Sequence, residues 1–364
     1  MTFPKNLEES IESKFSKLAS KKNKQRKKIL SLGLGEPDFN TPKEVLEESY
    51  NAMKLGKTKY SSPMGIIELR KKLSEHLKVN NKLKAKTNNI IITSGAKMSL
   101  TLALSAILKK NMSILNISPC YPSYVPQILI SEYQARIINF DLDKNDFSIN
   151  FKKLKALIVK HKVKVMLINF PNNPTGMTLD KKSREKIVDL IYRYKIILIS
   201  DEVYDKLIFN DKEHISIGSY KKIANQVITI NSFSKSFAMT GWRIGYMVAN
   251  DEIIDKACKI QQHINTNVPE FIQYGALKAL SIPPTHLKKY NARLLNNFRY
   301  LKSKIEISAN FPISDSKGGL FAFVDISKDG RTSDTFCRDL INDTNVACTP
   351  GIFFGKNWNY FRKR

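Results

Sequence analysis

The chain has 364 residues, 42% apolar and 26% charged, a balance that suits a folded protein with two cores and excludes wholesale disorder. No apolar run reaches the roughly 18 to 20 residues of a membrane helix, and the opening MTFPKNLEESIESKF has early acids and no apolar core, so a cytoplasmic protein is expected. The formal charge of +27 is spread along the whole length, and its densest run, KKNKQRKK at Lys21 to Lys28, has no interleaved aromatics to stack on bases, so no nucleic-acid partner is expected. The four cysteines, Cys120, Cys258, Cys337 and Cys348, lack the spacing of a metal or redox site, and no metal is expected.

In chain order, residues 1–28 read as a polar, partly helical arm, followed by the Gly- and Pro-punctuated loop ILSLGLGEPDFNTP. From about Glu44, helical periodicity alternates with the short apolar runs NIIITSGA, MSILNISP, VKVMLINFPNNP, KIILISDEVY and QVITINSFSK. Runs of this kind between amphipathic segments predict buried parallel strands joined by helices. Past about residue 280 the pattern changes to a long helix, HLKKYNARLLNNFRYLKSKI, and shorter strands such as GGLFAFVDI, which suits a smaller α/β lobe. The expected division is an arm with a small-domain segment over 1–40, a large domain over 41–280 and a C-terminal small domain over 281–364.

Three of the runs end on polar or ionisable groups: Asn172 and Asn173, then Asp201, then Ser232 and Lys235. Ligands of open α/β sheets sit beyond the carboxyl ends of strands, so these endings point to one shared ligand. Beside Lys235 stand Ser232, Ser234 and, eight residues on, Arg243, a set of hydroxyls and a guanidinium fork able to hold a phosphate dianion. A lysine next to a phosphate site suggests an aldehyde cofactor held covalently and ionically. Asp201, closing a buried strand, calls for a cationic partner such as a pyridinium nitrogen; its alternative role is to cap a helix DEVYDKL. Asn173 and Tyr204 can both donate to a phenolate oxygen of the same ring, while NNPTG alone also reads as an Asn/Pro turn.

GEPDFNTP, YSSPMG, SGAK, SPCYPSY, NNPTG, SDEVY and SFSKSFAMTGWRIGY follow one another in an order and spacing that resembles the class I/II aminotransferases of pyridoxal phosphate fold type I, over about residues 30 to 362. The resemblance implies an α/β fold with a mostly parallel central sheet flanked by helices, a smaller α/β domain, and the cofactor pyridoxal 5'-phosphate. It makes Lys235 the lysine of the cofactor aldimine and the base that moves the substrate's alpha proton. Asp201 becomes the pyridinium partner, Asn173 and Tyr204 the pair on the ring oxygen, and Tyr121 the stacked aromatic. Ser232, Ser234, Arg243 and the backbone amides of Ala96 and Lys97 at a helix start would hold the phosphate.

The tyrosine matching Tyr60 reaches the neighbouring subunit's phosphate in the family, which implies a homodimer. Gly35, Asn173 and Arg362 would form the substrate set, with Arg362 on the alpha-carboxylate. Lys97 matches a lysine that pairs with a distal carboxylate, so aspartate or glutamate is favoured and an aromatic substrate allowed; Met98 departs from the glutamine usual there. The sequence stops two residues after Arg362, at Arg364, so Arg362 is expected to be loosely held. The implied activity is transfer of an amino group from an L-amino acid to a 2-oxo acid. A cystathionine-type C–S beta-lyase and a non-catalytic regulator that binds the cofactor remain alternatives on the same scaffold.

Overall fold

The computed structural model describes residues 29–363 except 133, 210–212 and 284; the polar arm and its basic run lie outside the described residues. Its strands are β1 (Leu30–Ser31), β2 (Ile90–Thr93), β3 (Ser113–Ser118), β4 (Arg136–Asp141), β5 (Val165–Asn169), β6 (Ile197–Asp201), β7 (Val227–Ser232), β8 (Gly245–Val248), β9 (Ala322–Asp325), β10 (Val346–Ala347), β11 (Thr349–Pro350) and β12 (Tyr360–Lys363). The five apolar runs form β2, β3, β5, β6 and β7, all within one seven-stranded sheet of order β2-β8-β7-β6-β5-β3-β4. Pairing is parallel from β4 through β7, while β8 runs antiparallel to both β7 and β2.

Both faces of this sheet are covered. Met166 and Ile168 of β5 enter one core with Leu198, while Val165 and Leu167 enter the other with Ile199, Ile228 and Ile230. Alternate residues thus feed opposite cores, which is why the strands read as unbroken apolar runs. Asparagine or aspartate side chains open three covering helices: Asn150 accepts from Lys153 N, Asp180 from Ser183 N and Asn250 from Ile253 N.

The remaining strands belong to the C-terminal lobe. There β11, β12 and β9 form an antiparallel sheet with β12 in the middle. The helices Thr285–Ala309 and Ser333–Thr344 belong to the same part of the chain, and Val324, Ile326, Cys337, Cys348 and Phe361 share one core there. Leu30 and Ser31 pair in parallel with Val346 and Ala347, so the segment that follows β1 is anchored on this lobe. Among the described residues no helix is long and apolar enough to cross a membrane.

Candidate active site

The adjacent strands β5, β6 and β7 deliver their last residues to one place. Asn169 ends β5 opposite Asp201, which ends β6 opposite Ile230 of β7. Asn169 ties the motifs together: its Nδ2 donates to Asp201 O at 2.9 Å and its Oδ1 accepts from Asn173 N at 2.8 Å. The turn reading of NNPTG holds for Asn172, whose Oδ1 accepts from Thr175 N and Oγ1. The Asn173 side chain instead reaches Tyr204, 3.4 Å from Nδ2 to the phenol oxygen.

No helix forms over DEVYDKL; after β6 the chain makes turns. Asp201 Oδ1 accepts from Val203 N at 3.2 Å, and Oδ2 from Tyr124 Oη at 2.6 Å. Burial raises the Asp201 carboxyl to about 6, against the pull of those two donors. Lys235 Nζ donates to Gly35 O at 2.6 Å. Burial also lowers this ammonium to about 8; Glu36 opposes the fall, and Arg362 and Arg243 add to it. Tyr204 is held protonated, burial raising its phenol.

Ser232 Oγ accepts from Ser234 N at 2.9 Å, which folds the chain tightly ahead of Lys235. Facing it, the helix Gly95–Ile107 begins at Gly95, with φ +78°, where a Cβ would lie 2.7 Å from Arg243 Nη2. Only glycine lets the guanidinium approach the helix start this closely. Arg362, expected at a loosely held chain end, is instead 7% exposed. Its β12 neighbours flank it on both sides, Nη1 donates to Asn173 Oδ1 at 3.0 Å, Nη2 to Gly33 O, and its guanidinium lies over the rings of Phe321 and Phe354.

The residues nominated from the sequence, Asn172 and Tyr60 excepted, line one cavity of about 350 Å³. Tyr60 is 88% exposed, outside that cavity. Lys97 lies towards solvent with Nζ 5.8 Å from the Tyr121 ring centroid.

Sequence reasoning missed Tyr124, Asn169 and the Gly33 carbonyl, and it named Gly35 without the bond its carbonyl accepts from Lys235. The only signal for Tyr124 was its place three residues after Tyr121. Tyr124→Phe removes a donor from a buried carboxylate, a change of about 1.5–3 kcal/mol. It is expected to push Asp201 further up and to weaken retention of pyridoxal phosphate roughly 10- to 100-fold, read by titrating cofactor-free protein with the cofactor.

These donors fit pyridoxal phosphate. Asp201 is a buried acid that two neutral donors leave in want of a cation, Tyr204 and Asn173 present adjacent polar groups, and a helix start, an arginine and two serines frame an anion site. A model of aminotransferase class I and II matches residues 27–362. An aspartate aminotransferase of Pyrococcus abyssi is 36% identical, covering 91% of this chain and 85% of that protein. A (5-formylfuran-3-yl)methyl phosphate transaminase of Methanocaldococcus jannaschii is 35% identical over 95% of this chain and 89% of its own length. The crystal structure of an aromatic aminotransferase from Pyrococcus horikoshii superposes with a TM-score of 0.87 at 33% identity, covering 95% of this chain and 93% of that one. The match from end to end of the described chain, on a cradle built for their cofactor, places the protein in the class I and II aminotransferases, transaminases of fold type I that use pyridoxal phosphate.

Proposed function

We propose that the protein transfers the amino group of an L-amino acid, with aspartate and glutamate favoured, to a 2-oxo acid. The observation that carries this reading is a single cavity lined by Lys235, Asp201 and Arg362, with Lys97 at its edge. When bound, pyridoxal phosphate supplies an aldehyde for the amino group and a ring that withdraws the charge left by the departing alpha proton. Ser232, Ser234, Arg243 and the amides at Ala96 and Lys97 would hold its phosphate. Asp201 would keep a proton on its ring nitrogen, Asn173 and Tyr204 would hydrogen-bond its ring oxygen, and Tyr121 would supply the stacked aromatic.

Arg362 takes the substrate alpha-carboxylate in a bidentate pair, its guanidinium oriented by Asn173, Gly33 and Thr349. Lys235 holds the cofactor and then, as a free amine, carries the alpha proton. Burial that lowers it to about 8 supplies neutral amine near neutral pH, which a general base needs. Gly35, whose carbonyl accepts from Lys235, completes the floor of the substrate site.

Lys97 is the residue on which the acidic preference rests. Relatives named for aspartate and for a phosphate ester both act on anions, and a cation at the distal end of the cleft suits either. In a panel of L-amino acids scored by the absorbance change of bound cofactor, Lys97→Ala is expected to lower kcat/KM for aspartate about 10- to 100-fold, the loss of one charge-assisted contact. Phenylalanine should change less than about twofold. Equal losses on both would remove the distal-carboxylate role.

The proposal includes a homodimer. Leu46, Tyr50, Met53 and Leu55 form an exposed apolar stretch along the helix Lys43–Lys54 and its end, with exposed Tyr60 and Ile67 further on in the chain. Such a patch suits a two-fold interface, with Tyr60 reaching the partner's phosphate site. Four free cysteines suit a reducing, cytoplasmic setting.

A further inference from the structure

Directly behind Asp201 is a buried ion pair that the chemistry above does not use. Glu202 follows Asp201 in the chain, and its side chain is 2% exposed. Its backbone N donates to Ile230 O at 2.8 Å, which fixes it against β7. Oε1 accepts from Ser200 Oγ and Ser216 Oγ, both at 2.9 Å, and Oε2 lies 2.8 Å from His214 Nε2. Two consecutive carboxylates at the end of one buried strand repel each other, so each needs its own compensation. Asp201 receives only neutral donors, Tyr124 Oη and Val203 N. Glu202 receives the imidazole.

We propose that His214 is a positioning residue for cofactor binding: protonated, it neutralises Glu202 and thereby lets Asp201 remain a carboxylate. The proposal rests on the reading of Asp201 as partner of the ring nitrogen. Among the described residues, Asp180, Lys181, Arg184, Glu213 and Lys317 face the pair across one cavity, and His76, Lys82, Lys206 and Lys288 across the other. Asp205, four residues after Asp201, accepts from Asn81 Nδ2 at 2.7 Å and lies 3.5 Å from Lys206 Nζ, with His76 and Tyr246 beyond it. Around Asp201 stand Tyr124, Glu202 and Lys235, with Tyr204 also acting on it.

Without the charge on His214, Lys235 still acts on Asp201 and Lys206 on Asp205, while Glu202 loses its hydrogen-bonded cationic partner. Burial by itself lowers the His214 imidazolium, but the charge and hydrogen bond of Glu202, with Asp205 behind, reverse this and raise it. Glu202 in turn is among the groups that raise Asp201. His214 lines both a cavity of about 580 Å³ and one of about 440 Å³, so its ring can exchange protons with water although only 12% of the side chain is exposed.

The test uses the full, cofactor-free chain carrying 13C-carboxyl aspartate, with the Asp201 resonance assigned by Asp201→Asn. His214→Gln keeps a donor and removes the charge, and should move the Asp201 titration midpoint up by about half a pH unit or more. Glu202→Gln should move it down, and the double variant should return to within about 0.3 of the parent. Retention of pyridoxal phosphate should follow, weakening about threefold or more in His214→Gln and recovering in the double variant. A midpoint unmoved or lowered in His214→Gln, or a double variant that behaves like His214→Gln, overturns the proposal. Glu202→Gln alone decides it should His214→Gln fail to fold, since a merely structural role predicts no fall. If instead Asp201→Asn retains the cofactor as tightly as the parent, the assignment of Asp201 fails while the midpoints still judge His214.

Discussion

Lys235→Ala is expected to lower the amino-acid half-reaction by about 10⁴-fold or more. Proton transfer by a positioned base alone contributes about 10²- to 10⁴-fold, and in the proposed reaction the same side chain is also the covalent anchor. Its position is fixed by the short turn of helix Phe233–Ser236 directly after β7 and by the bond from Nζ to Gly35 O. Lys235→Arg is not expected to restore activity, because a guanidinium does not give up its proton in this pH range. Borohydride reduction should fix the cofactor to the peptide carrying Lys235 in the parent and to no peptide in Lys235→Ala. Label at another lysine would end the assignment. Since burial lowers Lys235 to about 8, attachment of pyridoxal phosphate to the cofactor-free chain should quicken as pH rises through that value.

Asp201→Asn should act in opposite directions on catalysis and on stability. Removing one partner of a buried charge pair costs about 3–5 kcal/mol, so kcat/KM is expected to fall about 10²- to 10⁴-fold. Asparagine keeps the shape and its Oδ1 can still accept from Val203 N, while its Nδ2 reverses the bond to Tyr124 Oη, so the main change is loss of charge. In the cofactor-free protein the sign reverses. Burial raises Asp201 from its ordinary value to about 6, so the folded chain binds this proton more tightly than the unfolded chain does. Stability therefore falls as pH rises from about 4 to 6, by up to about 1–3 kcal/mol, and Asp201→Asn removes that fall. Urea unfolding of the two cofactor-free proteins at pH 4.5 and pH 7 checks this; a parent with no such decline would show that Asp201 is not desolvated.

The sheet was legible because strands covered on both faces leave continuous apolar runs, and β2, β3, β5, β6 and β7 each do. β4 was not, because only Phe140 of its residues is fully buried and it lies at the sheet edge. β8 was hidden by its length of four residues behind the Gly–Trp–Arg loop, and its antiparallel direction has no local signature. The convergence of Asn173, Asp201 and Lys235 could be read from strand ends because β5, β6 and β7 are neighbours. What supports them could not. Tyr124 reaches Asp201 across 77 positions of sequence, and the Gly33 and Gly35 carbonyls bear no side chain to announce them. The reading of DEVYDKL as a helix failed because the Asp201 carboxylate takes Val203 N into a side-chain turn.

Lys235 and Arg362 share one further property. Both donate to carbonyls of a single three-residue stretch, Gly33 to Gly35, just beyond β1. That stretch is a clasp: two cations that line the cavity also fasten the incoming chain along its wall. A change that shifts the backbone between Gly33 and Gly35 therefore disturbs both cations at once, although they lie 127 positions apart in the sequence.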